Sequence, residues 1–403
     1  MEQSLLEKSK YYLKKLCVDI QDRVVGSEGN RMSTDFFAET MQSIGYTPKI
    51  QEFDCISWTC DEVNLTAGNQ KFDVFASPFS IPCNVNAELC HTATVAELET
   101  VDAKDKILFL SGEIVQEQLI PKGFIFYNPD EHKLIHQLLE KSGAKAIIAA
   151  TSRNPSLAGG VYPFPFIEDG DFGVPSVYMK DIEGEKLRMY IGENISVKIR
   201  SQRQLSKGYN VVVNKGDCRG RKVIICAHID SKPGTPGAID NATGIVLLLL
   251  IAERLKNIKS SYQIEIVALN GEDYYSVPGQ MKYLDSLNNN YSDIALVINF
   301  DGAGYYKEQT AFSMYNCNED LEKRIRGIFL KKEGIVEGVQ WMQSDHGMFV
   351  QQDVSSIAVT SNNFMEKLSA EITHTPEDRP EIVDHTKLLS IAEAVGELIA
   401  DFR

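Results

Sequence analysis

Three short apolar runs in the second half of the chain each stop at an acid or a histidine, and this arrangement restricts the fold more than any other feature. VIICAHID delivers His228 and Asp230, IEIVALNGED delivers Glu272 and Asp273, and ALVINFD delivers Asp301. Val/Ile-rich runs of this length, bounded by polar residues, are the pattern of strands buried on both faces. Open parallel sheets bind their ligands beyond the carboxyl ends of the strands. The chain is therefore expected to be α/β, with a mixed, mainly parallel sheet flanked by helices and polar side chains gathered at one sheet edge.

At 403 residues the chain exceeds one ordinary core, so two domains are expected. Residues 1–58 carry two helical patterns, marked by Leu5, Leu13, Leu16 and Ile20 and then by Phe36, Phe37, Met41 and Ile44. Gly45 closes the second, and Thr47–Phe53 alternates like a strand. The texture changes over 59–205. Here KILFLSG, IHQLLEKSGAKAIIAATS, a Pro/Gly-rich loop from Asn154 to Pro165 and GVPSVYM read as short strand–helix units of an inserted, β-rich domain. His132 and His136 are four apart and could share a helix face, but no third ligand is evident, so a surface pair is favoured over a metal site. From 206 onward strands and helices alternate again, the main helices being Asn241–Asn257, Glu319–Gly334 and His385–Phe402. The first is apolar almost all round, which requires burial against the sheet.

The charge of −15, from 41 basic and 56 acidic residues, argues against a nucleic-acid or anionic-membrane partner, both of which need a basic face. No apolar run approaches the roughly 20 residues of a membrane span. The N-terminal MEQSLLEKSKYYLKKL reads as an amphipathic helix rather than a signal peptide, and the eight cysteines are scattered, so a cytoplasmic location with reduced thiols is expected.

His228, Asp240, Glu272, Asp273, Asp301 and His374 make a near-complete ligand set, with a base, for a pair of zinc ions. His228 offers a ring nitrogen, and Asp230, two residues on along an extended chain, can orient that ring through its other N–H. Asp240, in GAIDNATG, stands at the start of the buried helix, where it can cap the helix or bridge two cations. The adjacent acids Glu272 and Asp273 repel unless a cation intervenes or one keeps its proton, which suits Asp273 on a metal and Glu272 as a proton shuttle; a solvated acidic turn is the alternative. Asp301 precedes Gly302, and His374 precedes Thr375-Pro376, which argues for a loop.

The motifs AHIDS, GAIDNATG, NGED, NFDG and HTPED, in that order, resemble those of the co-catalytic dizinc aminopeptidase family, which includes bacterial leucyl aminopeptidases and glutamate carboxypeptidase. The resemblance is dense over 206–403 and looser over 1–58, through Arg23, Gly26-Ser27 and Gly29-Asn30. DAKDKILFLSG, EKSGAKAIIAA and VPSVYMKDIEGEKL resemble the protease-associated (PA) domain often inserted in such enzymes. The resemblance implies a zinc-exopeptidase (phosphorylase/hydrolase-like) fold in which 1–58 and 206–403 form the catalytic domain and 59–205 the PA-like insertion.

The resemblance further implies that Asp240 bridges two zinc ions, with His228 and Asp301 completing one and Asp273 and His374 the other; cobalt or manganese could take the same ligands. Glu272 would be the general base toward a water held between the ions, and the Asp240–Asn241 peptide would be cis. Asp273 stands where many relatives have Glu. Thr373 stands where many carry an oxyanion-stabilising tyrosine, and His346, in Ser344-Asp345-His346, either substitutes for it or is structural. The expected activity is a metallo-aminopeptidase acting on short peptides. A carboxypeptidase or dipeptidase would need a basic pocket for a free carboxylate, and no Arg cluster lies near the motifs. A glutaminyl-cyclase-like reading is disfavoured because a complete two-metal set would be superfluous. A non-catalytic receptor-like member would be marked by a lost ligand, and none is lost.

Overall fold

A computed structural model describes residues 2–401 apart from 21, 154–160, 217–220 and 259. It divides into one compact unit of Met1–Cys55 with Ser206–Arg403 and a second of Ile56–Leu205.

The first unit is built on a mixed sheet. Its strands lie in the order Ile335–Glu337, Thr310–Tyr315, Ser356–Ser361, Ile294–Phe300, Lys222–His228, Gln263–Leu269 and the 206–215 stretch of Asn194–Lys215. The three strands that carry the acid-terminated runs are neighbours and parallel, with His228 opposite Leu269 and Cys226 opposite Asn299. They therefore end at one edge together, and the residues just beyond them, from Asn270 and from Asp301, emerge side by side. This is what buried parallel strands of equal length require.

The helix Thr243–Leu255 is buried along nearly its whole length. Its all-round apolar surface packs in one core with Leu13, Leu16, Phe37 and Met41 from the N-terminal helices and Leu388, Ile391 and Val395 from the last helix. The N-terminal pair spans Glu2–Lys14 and Glu28–Ile44; Ser27 caps the second by accepting from the Asn30 amide, and Gly45 closes it at φ +109°.

Two helices are shorter than the periodicity predicts, Thr243–Leu255 against an expected 241–257 and Glu319–Phe329 against 319–334. Glu319–Phe329 stops before Gly334, whose carbonyl accepts the Thr310 amide as the edge strand Ile335–Glu337 begins. The last helix is described over His385–Asp401, and Phe402 lies outside the described residues.

In the second unit Cys83–Thr92, Ile107–Leu110, Ala146–Thr151 and Ser176–Lys180 pair in parallel, and the antiparallel 194–199 stretch flanks the first of them. The two central strands are fully buried, with one apolar cluster around Leu89, Phe109 and Val177 and another around Leu108, Ile147 and Phe166. His132 and His136 fasten the same residue: the Ile120 amide donates to His132 Nδ1 at 3.0 Å, and His136 Nε2 donates to the Ile120 carbonyl at 3.0 Å. His136 is buried rather than on the surface, and neither belongs to a potential ligand group among the described residues. Most of the Asn154–Pro165 loop lies outside the described residues. No described helix is long and apolar enough to cross a membrane.

Candidate metal centre

At the shared strand edge the structure brings five of the expected side chains into two overlapping groups: His228, Asp240 and Asp301, and Asp240, Asp273 and His374. Asp240 belongs to both and divides its oxygens between them. Oδ1 lies 3.2 Å from His228 Nε2, and Oδ2 lies 3.0 Å from His374 Nε2. His228 Nε2 is 3.6 Å from Asp301 Oδ1, and His374 Nε2 is 3.0 Å from Asp273 Oδ1. Tetrahedral zinc with bonds of about 2.1 Å sets its ligand atoms about 3.4 Å apart, so these spacings suit a cation at the middle of each group.

The polar atoms themselves ask for such an ion. His228 Nδ1 and Nε2, Asp273 Oδ2 and Asp301 Oδ1 are buried without a hydrogen-bond partner. Buried polar atoms of native proteins are nearly always paired, and carboxylates packed this closely repel without a cation. The titration of the site shows the same tension. Burial disfavours charge on His228, yet Asp230, Asp240 and Asp301 more than reverse this and hold the imidazole well above its ordinary range. His374 behaves alike, pushed up to about 10 by Asp273 and Asp240 against burial. Asp240 is held low despite its burial because both histidines face it, whereas burial raises Asp301. Two imidazoles and three carboxylates packed this closely form a donor set suited to divalent ions.

Glu272 stands apart from both groups. Its Oε2 is 3.9 Å from His228 Nε2, and 23% of its side chain is exposed. Burial raises its pKa well above the usual carboxylate range, His228 opposes this, and Asp273 and Asp301 reinforce it. The geometry leaves this carboxyl able to hold a proton beside the ligand groups.

The surrounding loops are fixed by residues whose part in the site the motifs do not announce. Asp230, expected to orient His228, lies 3.7 Å from its Nδ1, too far for a hydrogen bond. Its carboxylate instead accepts the amides of Gly271 at 2.7 Å and Asp273 at 3.0 Å, tying the paired-acid turn to the end of the neighbouring strand. Asn270, just before that turn, exchanges a reciprocal pair of amide hydrogen bonds with Asn30, both 2.9 Å, and its backbone N–H donates to Asn210 Oδ1. Asn241 donates to the Phe300 carbonyl at 2.7 Å and accepts from the Gly244 amide, and the Asp240–Asn241 peptide is cis, as the resemblance implies. Asp378 and Arg23 hold the Asp240 turn from two sides. The sequence offers one weak signal for Asp378, its place four residues after His374 within HTPED.

His346 is turned into the protein interior. Its Nε2 donates to the Trp341 carbonyl at 2.7 Å, Nδ1 faces Asn299 Nδ2 at 3.3 Å, and the ring is buried between Tyr315 and Trp341. Burial lowers its pKa to about 4, so it is a neutral ring with both nitrogens engaged. Of its two expected parts, oxyanion donor or structural residue, these contacts favour the structural one. The Thr373 hydroxyl is buried and has no hydrogen-bond partner.

Residues 210–399 match the family model described as Peptidase family M28. Among curated proteins, the probable lipoprotein aminopeptidase LpqL of Mycobacterium tuberculosis is 25% identical over 317 residues, which cover 77% of this chain and 60% of that protein. The chain thus spans about three fifths of the length of this relative. Among solved structures, an aminopeptidase from Aneurinibacillus sp. strain AM-1 superposes with a TM-score of 0.75 at 22% identity, covering 98% of this chain and 93% of that one. BSAP, a zinc aminopeptidase from Bacillus subtilis, gives 0.74 at 20%, covering 98% and 94%. The fold is that of these aminopeptidases.

Proposed function

We propose, on the premise that residues 210–399 match the model of Peptidase family M28, that the protein is a metallo-aminopeptidase that removes N-terminal residues from peptides. The observation that carries this reading is the division of Asp240 between two ligand groups, which suits two zinc ions rather than one. His228, Asp240 and Asp301 would hold one ion, and Asp240, Asp273 and His374 the other. Bound there, zinc supplies Lewis acidity, lowering the pKa of a bound water toward about 7 and polarising the scissile carbonyl.

Glu272 takes the proton of the attacking water and returns it to the leaving amine. Its raised pKa and its position outside both groups suit this exchange. Asp230 holds Glu272 and Asp273 in register by fixing the backbone of their turn. His346 serves to position Asn299 and the loop around Ser344, since Asn299 also donates to Ser344 Oγ at 2.9 Å. We read Ile56–Leu205 as the inserted PA-like domain, which its parallel strands support.

A panel of aminoacyl-anilides, the same compounds N-acetylated, and C-terminally free N-blocked dipeptides tests the proposal. Hydrolysis confined to the free-amine substrates, abolished by a chelator and restored by zinc, is expected. Turnover of the N-blocked dipeptides without the anilides would remove the aminopeptidase reading in favour of a carboxypeptidase.

A further inference from the structure

The turn that carries Asp240 is gripped on both its polar sides by buried charges that are not ligands. On the carbonyl side Arg23, 1% exposed, donates to Pro236 at 2.7 Å and Gly237 at 2.8 Å, and also to Ile229 and Leu16, each at 3.0 Å. On the amide side Asp378 is fully buried. Its Oδ1 accepts from Ile239 at 2.7 Å, its Oδ2 from Asp240 at 3.0 Å, and its carbonyl from the Ala238 amide at 3.1 Å. Three consecutive amides thus end on one residue, and that residue belongs to the loop that carries His374. A carboxylate so deeply buried is tolerated only where hydrogen bonds replace its hydration, and here the backbone of the Asp240 turn supplies them.

The two halves of the centre are supported differently. His228 ends one strand and Asp301 follows its neighbour, so the ladder fixes both, and Asn241 ties the Asp240 turn to Phe300 as well. His374 lies on no strand, and its own φ is +62°. The Asp378 side chain links its loop to the Asp240 turn.

We propose that Asp378 is a positioning residue that locks the His374 loop onto the Asp240 turn, so that the Asp240–Asp273–His374 half of the centre depends on it and the His228–Asp240–Asp301 half does not. This rests on the reading of the centre as a two-ion site. A general stabilising residue would weaken both halves together, whereas Asp378 acts on one of them.

The test is zinc binding by the full chain, read by competition titration against a chromogenic chelator and by zinc counted per chain after gel filtration, for the unaltered protein, Asp378→Asn and Asp378→Glu. Asparagine places an amide N–H against a backbone N–H and should cost grip without removing bulk. The expected result is two ions on the unaltered protein. Asp378→Asn should hold the first with unchanged affinity and the second about 10- to 100-fold more weakly, the usual effect of removing a residue that supports a ligand. Asp378→Glu should recover part of the loss. If Asp378→Asn fails to fold, Asp378→Glu is read alone, with the second ion weakened and the first unchanged. Unchanged binding of both ions, or equal weakening of both, overturns the inference and leaves the two-ion reading standing. Fewer than two ions on the unaltered protein overturns the two-ion reading, and this inference with it.

Discussion

Arg23 reaches across 214 positions of sequence to donate to the Gly237 carbonyl at 2.8 Å, one of four backbone carbonyls that its guanidinium satisfies. The contact joins the N-terminal segment to the loop between His228 and Asp240. Replacing Arg23 by Met removes every donor and strands buried carbonyls, each worth about 1–3 kcal/mol of lost solvation. The variant is expected to lose about 3 kcal/mol or more of stability in urea unfolding. A midpoint within experimental error of the unaltered protein would contradict the role assigned to this residue.

Glu272→Gln keeps the shape of the side chain and removes its proton chemistry. It should bind zinc as before while kcat falls by about 10²- to 10⁴-fold, the range spanned by general acid–base catalysis. Zinc content and steady-state kinetics on one preparation decide the matter. A variant retaining near-normal kcat would exclude Glu272 as the base.

Removal of the ions should destabilise the protein, because the carboxylates of Asp240, Asp273 and Asp301 stand too close together to remain unbalanced. Ligand linkage sets the size: at zinc about 100-fold above its Kd, one ion adds about 2.7 kcal/mol. Tm should therefore fall on chelation and rise again with zinc concentration. A Tm indifferent to zinc would argue against metal at these residues.

Gly302, immediately after Asp301, has φ +73°, and a Cβ there would lie 2.3 Å from the Phe364 ring and 2.8 Å from Thr360 Oγ1. Gly302→Ala combines a left-handed backbone cost of about 1–2 kcal/mol with overpacking of about 1–3 kcal/mol. Because Asp301 is the preceding residue, activity should fall along with stability. Denaturant unfolding and zinc content report the two effects separately.

In the second unit, burial lowers the pKa of both His132 and His136 below the ordinary 6.5, so folding favours their neutral forms. Neutrality also suits the geometry, since His132 Nδ1 must accept from the Ile120 amide. The unfolded chain then binds more protons at low pH, so this stabilisation is complete above 6.5 and drains away as pH falls through the lower folded values. Urea unfolding followed through Trp58, the tryptophan of this unit, in a Trp341→Phe background should show the midpoint dropping below pH 6.5. His136→Gln should flatten the slope.

Much of the frame is legible in sequence because burial on both faces leaves a direct trace. VIICAHID, IEIVALNGED and ALVINFD read as strands, and the fold has strands at Lys222–His228, Gln263–Leu269 and Ile294–Phe300. Their ligand-type residues follow where an apolar run ends, and those residues meet in space. The outlying strands Thr310–Tyr315 and Ser356–Ser361 escape the reading, being short and followed by no acid or histidine.

The sequence by itself determined which side chains could serve a cation, because buried strands must end and polar residues must wait where they do. Tertiary structure alone decided what holds those side chains still. Asp230 grips the amides of Gly271 and Asp273 instead of the His228 ring, Asn30 pairs with Asn270 across 240 positions, and His346 is turned inward to Trp341. Apolar periodicity records which face is buried. A buried polar group bonds whatever donor or acceptor the sheet register and loop docking place within about 3 Å, and that choice leaves no periodic mark in the chain.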